Sequence, residues 1–438
     1  MTNPYQQQPP YPPRPPHPGF APPGPPMPPP KKSRTGLIVT LCVAGVLVLA
    51  LVVVSAVVLV QAPGGREPSA AEPQPLTSLP ISPGSGPVPV YGGTRAPNVC
   101  SIVPVDLLKS QGWQLSPEET ITERLPDPDH PAPQPVAQQP GGLLTGLSGC
   151  SVLFEQDAQV SFSVDAAPIS DPGSMESDLR IAREHGSTST TEGKWEILLD
   201  EENPGTPEGA YGYLTDRTSV VEFSIVSPTG TPHAKAVDVA KQALSEMIAK
   251  WDSAYAGASA GKYPAPFGEV PDPCAAIEPG DIDEVFHLQH SGVVDRTWSS
   301  SPVEVFKRGD NERIVYAEST CHQGSVAPRD DISARTGSID VTLRTFPDAG
   351  KAAEQVEFYA DPNSEISTTF GPATPLDASI GDGRAYLSPA FAKEHSIMFH
   401  VGRYVVSLAA TEDSQLFDDE ALRARLVPVA QQVAERLR

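Results

Sequence analysis

Residues 36–60 form an uncharged run of small and aliphatic side chains, and no other feature constrains the chain as strongly. At about 1.5 Å per residue, a helix of this length crosses a hydrocarbon core of about 30 Å. A cleaved signal peptide has a shorter apolar core that ends in a small-residue cleavage site. Here the run is followed by Gln61-Ala62-Pro63. The run therefore predicts a retained transmembrane helix.

The charges that flank this run predict its orientation. Lys31, Lys32 and Arg34 precede it, and the first charged residue after it is Arg66. Cytoplasmic flanks carry the excess of Lys and Arg, so the N-terminus is expected in the cytoplasm and the rest of the chain outside. The expected localisation is the cell membrane, with a single pass.

The charge balance differs between the two sides of the run. Four of the 31 basic residues precede it, and all 54 acidic residues follow it. An acidic surface of this kind repels nucleic acids and anionic lipid headgroups at long range. We therefore expect no nucleic-acid partner, and we expect membrane contact only through residues 36–60.

Two segments have the composition of unfolded chain. Half of the first 30 residues are proline, which predicts a disordered, polyproline-biased cytoplasmic tail over residues 1–35. Residues 61–96 are rich in Pro, Gly and Ser and have neither helical nor strand periodicity. They are interpreted as a stalk.

The remaining chain contains two similar segments, residues 97–256 and 273–438, joined by a linker over 257–272. The first opens Pro97-Asn98-Val99-Cys100 and the second opens Pro271-Asp272-Pro273-Cys274. A second Cys follows 50 and 47 residues later, and Tyr211 and Tyr386 lie 111 and 112 residues after the first Cys. These shared spacings indicate a tandem repeat in which the two tyrosines are equivalent.

Hydrophobic periodicity predicts an α+β fold with two tandem domains, each a mostly antiparallel sheet with packed helices. Each segment contains a short helix after its first Cys, strands, one helix between the strands, and a C-terminal helix. The clearest strands are expected at 160–164, 195–199, 210–214, 220–226, 339–343, 385–387, 396–401 and 403–410. The clearest helices are expected at 236–251, 349–359 and 419–437, the last with a break or kink at Pro428.

Four cysteines outside a cell favour disulfides. Three pairings are possible, and the repeat favours Cys100 with Cys150 and Cys274 with Cys321. Each bridge would close a loop of roughly 50 residues and stabilise its domain by about 4 kcal/mol in the chain-entropy description. Cys42 lies within the apolar run and is interpreted as a small membrane-embedded residue.

The Cys-x-x-Ile start of the second segment, with Pro and Asp after it, and the Gly149-Cys150-Ser151 triplet resemble the actinobacterial secreted proteins called domain of unknown function 3558. The resemblance covers both segments and implies an actinobacterial cell envelope. It carries no activity, because that family has none assigned. The chain departs from the family in having a transmembrane anchor where members are commonly lipoproteins, and in having Thr320-Cys321-His322 in the second segment.

Candidate chemical groups are few. His287 and His290 follow Asp281, Asp283 and Glu284 and could form a metal site on one helical face, but no further His or Cys recurs at ligand spacing. His395 and His400 are isolated beside a predicted strand. The motifs of a hydrolase nucleophile elbow, a phosphate-binding loop and a zinc protease helix are missing from the sequence. We therefore predict no catalytic, cofactor or metal site.

These features favour a binding protein of the bacterial cell envelope over an enzyme. Its expected partner is an envelope protein or a small ligand, bound through the sheet surfaces or between the repeats. Two alternatives stay open. One is a wall-associated hydrolase with an unrecognised site, and the other is a ligand sensor whose short tail relays occupancy.

Overall fold

A computed structural model describes residues 79–116, 120–127, 146–166, 172–200, 208–300, 302–306, 313–325, 336–363, 367, 371, 373–391, 394–412 and 419–438. All of them belong to one compact unit, Ala71–Arg438. The expected tail, the apolar run 36–60 and the first part of the expected stalk lie outside the described residues. Within the described ranges, every helix is too short or too polar to cross a membrane.

The fold mixes helices with a larger number of strands. The strands are β1 (Ile81–Gly84), β2 (Val90–Tyr91), β3 (Thr94–Arg95), β4 (Thr120–Pro126), β5 (Ser148–Leu153), β6 (Gln159–Ala166), β7 (Thr188–Glu192), β8 (Trp195–Asp200), β9 (Gly209–Thr215), β10 (Ser219–Val226), β11 (Gly257–Lys262), β12 (Glu269–Val270), β13 (His290–Ser299), β14 (Val303–Phe306), β15 (Arg313–Ser325), β16 (Gly337–Thr345), β17 (Thr374–Pro375), β18 (Tyr386–Phe391), β19 (Glu394–Val401) and β20 (Tyr404–Glu412). The α-helices are α1 (Val105–Ser110), α2 (Pro172–Glu184), α3 (His233–Lys250), α4 (Pro279–Phe286), α5 (Ala349–Ala360) and α6 (Asp419–Arg436). Short 3-10 helices span Val99–Ile102, Trp251–Ala254 and Pro273–Ala276.

One antiparallel sheet runs through both halves of the described chain, which confirms the mixed, mostly antiparallel fold class. Its strand order is β7-β8-β9-β10-β6-β5-β4-β13-β15-β16-β20-β19-β18-β17, and β14 pairs with the first part of β15. A second, smaller sheet has the order β1-β11-β12. Counted outward from the middle of the large sheet, the strands of the two halves follow the chain in the same order.

The first half has its own apolar core on one face of the sheet, where helix α3 packs on β9 and shares an apolar cluster with residues of β6 and β10. Val237, Ala240, Leu244 and Met247 are buried at helical spacing on this helix. The strands contribute alternate residues, because successive side chains of a strand point to opposite faces. We call this side of the large sheet the core face and the other side the open face.

The second half has a separate core on the same face, covered by helix α6. Leu426, Val429, Ala430 and Val433 are buried on it. Pro428 lies inside this helix, which is continuous from Asp419 to Arg436. The predicted bounds of α3, α5 and α6 agree with the structure to within a few residues, as do those of β8, β9, β10, β16, β19 and β20.

The two halves meet through a pair of strands that the sequence patterns did not predict. β4 pairs with β13 over seven residues, from Thr120 opposite Ser299 to Pro126 opposite Val293. Backbone hydrogen bonds of one sheet therefore continue across the boundary between the two predicted domains.

The expected stalk and linker also extend too far into folded chain. β1 lies in the segment interpreted as stalk, β11 lies in the segment interpreted as linker, and the two pair with each other. The Tyr91 side chain is buried, and its hydroxyl donates a hydrogen bond of 3.0 Å to the Ser291 carbonyl. Low periodicity misled here because these strands are short and contain Gly, Pro and Ser.

The predicted equivalence of Tyr211 and Tyr386 is wrong by strand order. Tyr211 lies on β9, the fifth strand from the middle of the sheet in the first half. Tyr386 lies on β18, the sixth strand from the middle in the second half. Their similar distances from the first cysteines are coincidental, since loop lengths differ between the halves.

Candidate functional site at the middle of the sheet

A row of directly opposed residues crosses the core face and is charged only at its centre. Glu123 on β4 lies opposite Arg296 on β13. The next residue outward is Cys150 beside Glu123 and Cys321 beside Arg296. Farther out, as far as β8 and β18, the row is apolar apart from one glycine, with Phe162, Phe223, Gly212 and Leu199 in the first half and Val341, Leu408, Ile397 and Leu387 in the second. It ends at Thr188 on β7 and Thr374 on β17.

The two predicted disulfides are present and tie the start of each half to these central strands. Cys100 is bonded to Cys150 and Cys274 to Cys321, with Cα–Cα distances of 5.1 and 4.9 Å. Each bridge joins a 3-10 helix to the strand next to β4 or β13. Cys42 lies outside the described residues.

Glu123 is completely buried and is held by the strand that covers the junction. The Ser259 amide donates to both carboxylate oxygens at 3.2 and 3.3 Å, and the Ser259 hydroxyl donates to Oε1. Asn98 Nδ2 donates in turn to the Ser259 hydroxyl and to the Gly257 carbonyl, each at 3.0 Å. Burial raises the pKa of Glu123 above its ordinary value, although Arg296 and the Ser259 hydrogen bonds oppose the change.

Arg296 is buried beside this carboxylate and binds a second one. Its Nε donates to both oxygens of Asp272 at 3.0 and 2.9 Å. Asp272 also accepts the Cys274 amide and so begins the 3-10 helix that carries this half-cystine. Burial disfavours the charged guanidinium, yet Asp272 and Glu123 together raise the pKa of Arg296. The Arg296 Nη1 atom has no hydrogen-bond partner among the described residues.

The small sheet closes over this buried network. The Tyr263 hydroxyl, just after β11, donates to the Ser299 carbonyl at 2.7 Å on β13. The Trp298 side chain is fully buried and lies against Gly261 of β11, where a Cβ atom would come within 3.1 Å of the indole. Glu123 and Arg296 are therefore shielded from solvent at the place where the two halves pair, whereas Asp272 is partly exposed.

The open face has a different character, because a row of hydroxyl side chains crosses nine strands in register. All nine side chains are partly exposed. In order from β9 to β20, the row consists of Tyr211, Ser224, Ser161, Ser151, Thr122, Thr297, Thr320, Thr342 and Ser407. The Thr320 and Thr342 hydroxyls are 3.1 Å apart, and Gln159 Nε2 donates to the Ser151 hydroxyl at 3.1 Å.

A second row on the open face contains paired charges at the middle of the sheet. Arg124 lies 3.4 Å from Asp295, and His322 Nδ1 lies 2.8 Å from Asp340. Asp295 stands between the two pairs, since it is opposite Arg124 on one side and His322 on the other. The hydrogen bond to Asp340 raises the pKa of His322, and the negative charge of Asp295 raises it further. Burial and the positive charge of Arg124 act in the opposite direction.

Helices flank the open face and leave its centre uncovered by the described chain. Helix α2 packs on β8 and β9. Burial raises the pKa of Glu222 on β10, and the charge of Asp178 on this helix raises it further. Helix α5 packs on β19 and β20, where Val356 and Met398 share an apolar cluster. Met398 is the residue opposite Ser407, so the hydroxyl row ends beneath this helix.

The histidines that could have formed a metal site lie apart. His287 ends helix α4 in a left-handed conformation and its ring is bonded to the Asp283 carbonyl, whereas His290 is buried and accepts the Gly292 amide. Asp281 is buried and binds Arg436 of helix α6 at 2.6 Å. In the described ranges no three His, Cys, Asp or Glu side chains are grouped so that they could hold a metal ion.

The His322 and Asp340 pair is arranged like a base with its orienting carboxylate, but within the described ranges no hydroxyl or thiol is hydrogen bonded to His322 Nε2. A Cβ atom built on Gly324 would lie 3.8 Å from His322 Nε2. A hydrolytic triad requires a hydroxyl or thiol within hydrogen-bond reach of this nitrogen. His395 and His400 lie on β19, away from this pair.

Compared with protein families, with characterised proteins and with solved structures, the chain matches none of them.

The sequence had not pointed to the hydroxyl row or to the charged pair. Alternation such as Thr120-Ile121-Thr122 and Ser161-Phe162-Ser163 places hydroxyls on one face of a strand, but the row itself depends on strand order and register.

Proposed function

We propose that this protein is a membrane-anchored binding protein of the cell envelope, and that it binds its ligand on the open face of the large sheet. The observation that carries the proposal is the hydroxyl row, because it presents partly exposed donors and acceptors on nine adjacent strands without a described element above its centre. A polar surface continuous across both halves has no role in packing either core.

The dimensions of this surface favour an elongated ligand. Adjacent strands lie about 4.8 Å apart, so the seven strands between helices α2 and α5, from β10 to β16, extend the row over roughly 29 Å. Such a length fits several units of a linear polymer better than one small molecule. Each hydroxyl both donates and accepts, which suits a ligand that is itself rich in hydroxyl groups.

The charges favour a neutral ligand. At the middle of the open face Arg124 is paired with Asp295 and His322 with Asp340, so neither sign dominates. The chain as a whole is strongly acidic and repels polyanions. A neutral, hydroxyl-rich glycan of the envelope is the ligand class that these properties fit.

The binding experiment uses the full-length protein and deproteinised cell-wall fragments, with and without periodate oxidation of their vicinal diols. We expect cosedimentation that periodate abolishes. Thr297→Lys, at the centre of the row, should weaken binding about tenfold by placing a bulky charge on the face. Gln242→Lys is the matched control, because this exposed residue of helix α3 lies on the other side of the sheet.

Each result of this experiment separates the possibilities. A protein partner would be indicated if binding survived periodate oxidation but protease digestion of envelope fragments that still contain their proteins abolished it. That result would overturn the proposal that the ligand is a glycan. Equal binding by Thr297→Lys and Gln242→Lys would overturn the open face as the site.

The anchor, the topology and the duplication belong to the same proposal. The apolar run 36–60 supports the anchor, and the basic residues before it support a cytoplasmic N-terminus. The identical strand order of the two halves supports two copies of one domain. A location in the cell envelope is also what the resemblance to the domain of unknown function 3558 implies.

A further inference from the structure

The two ends of the large sheet differ in how they are protected. The end in the second half is β17, which has two residues and finishes with Pro375. A short edge strand with a proline cannot accept a further strand easily. The end in the first half is β7, which has five residues without a proline, a lysine or a bulge.

The backbone of β7 offers a regular set of hydrogen-bonding groups. Glu192 and Trp195 close a two-residue turn at Gly193-Lys194, so this pair and every second pair along the hairpin are hydrogen bonded. Ser189 and Thr191 lie at the alternate positions, and their amides and carbonyls therefore point away from β8. No described strand pairs with that side of β7.

The composition of β7 is compatible with pairing to itself. Thr188, Ser189, Thr190 and Thr191 are exposed and uncharged. In an antiparallel pair centred on Thr190, this residue would face its own copy and Glu192 would face Thr188, so no like charges would be opposed. Threonine pairs across strands are favourable.

An exposed apolar side chain lies near the same edge. Ile181 is 44% exposed and is one of two large apolar residues exposed in the described ranges. It lies near the end of helix α2, and only His185, Gly186 and Ser187 separate this helix from β7.

We propose that β7 is a self-association edge, where two copies of this chain pair antiparallel about Thr190 and continue the sheet from one molecule into the other. Residues directly opposite in an antiparallel pair point to the same face, so the open faces of both copies would lie on the same side. The pairing does not depend on the proposed ligand. If both hold, the dimer would double the binding surface and raise avidity.

The test is site-directed crosslinking of the full-length protein in detergent micelles, with Cys42→Ser in every sample to remove the unpaired cysteine. Thr190→Cys would place two thiols at a directly opposed, non-hydrogen-bonded pair, where Cβ atoms are close enough for a disulfide. Thr188→Cys is the matched control, since it is equally exposed but would lie about 13 Å from its own copy. We expect mild oxidation to give about ten times more dimer with Thr190→Cys.

Thr191→Pro gives the second arm. The Thr191 amide points away from β8, so proline at this position should prevent dimerisation without breaking the β7-β8 hairpin. By light scattering, we expect the wild-type protein to be a dimer and the Thr191→Pro variant to be a monomer. Equal crosslinking of Thr188→Cys and Thr190→Cys would mean random collision and would overturn the proposal. A monomeric wild-type protein, or a complex of β7 with a peptide of another protein instead of its own copy, would overturn it as well.

Discussion

Glu123 and Arg296 lie directly opposite each other on β4 and β13, and each has a half-cystine as its neighbour on the far side. A charged pair in the middle of an otherwise apolar row is costly to bury unless its members are fully bonded. Ser259 donates to the carboxylate, and Asp272 accepts from the Nε of the guanidinium, whose Nη1 has no partner among the described residues. The junction between the halves is thus defined by complementary polar groups as well as by backbone pairing.

Replacing Arg296 with methionine should destabilise the protein strongly. The substitution keeps most of the side-chain volume but leaves the Glu123 and Asp272 carboxylates without their cation, and breaking a buried charged network in this way costs about 3–5 kcal/mol. Chemical denaturation would measure the loss. Arg124→Met is the control, because Arg124 is 40% exposed and its pair with Asp295 should contribute about 1 kcal/mol or less. Similar losses in both variants would contradict the role given to Arg296.

Glu123→Gln should change how stability depends on pH. The pKa of Glu123 is raised above 4.5 in the folded protein, so the folded state binds more protons than the unfolded state in this window. Glu123 therefore contributes less to stability as the pH rises from about 4.5 through its folded pKa. Glutamine is isosteric with the protonated acid and should lack this dependence.

The measurement for this prediction is the difference in unfolding free energy between Glu123→Gln and the wild type, taken from pH 4 upward in steps. We expect the difference to shift in favour of the variant as the pH rises. A constant difference over the whole range would show that the Glu123 carboxyl titrates as it does in water.

His322 should titrate above its ordinary pKa of 6.5, because it is bonded to Asp340 and lies near Asp295. Its contribution to stability should be present below pH 6.5 and be lost as the pH rises through the raised value. Proton NMR of the ring would give the pKa directly. Asp340→Asn should bring it back toward 6.5, whereas Asp348→Asn at the start of helix α5 should leave it unchanged. An unshifted His322 in the wild type would refute the pairing.

The topology can be checked with tags. A tag after Arg438 should react with an impermeant label in intact cells, and a tag before Met1 should react only after permeabilisation. The expectation follows from Lys31, Lys32 and Arg34 on one side of the apolar run. Labelling of the N-terminal tag in intact cells would reverse the assigned orientation.

The strands and helices of each core could be predicted from the sequence, but the junction could not. Strands such as β16 alternate between apolar and polar residues, which is the pattern of a sheet with one buried face. β4 and β13 break that pattern, since Glu123 and Arg296 occupy core-face positions and polar residues also line the other face. Only a few apolar residues, such as Ile121 and Trp298, mark them as strands.

The candidate binding surface escaped prediction for a related reason. Ser151, Thr122 and Thr297 are unremarkable residues for the exposed face of a sheet, and they lie far apart in sequence. Their common row depends on strand order and register, which single-sequence patterns do not contain. The disulfide pairing could be predicted from the sequence, because the cysteine spacing is repeated in the two halves.

The opposed pair at the junction also restricts how the two halves can diverge. If two first halves met through β4, a glutamate would face a glutamate, and two second halves would bring two arginines together through β13. Pairing of two identical halves is therefore disfavoured by like charges, and pairing of a first half with a second half is favoured. Changes at positions 123 and 296 should be tolerated only when both change together, so related sequences are expected to exchange these residues as a pair.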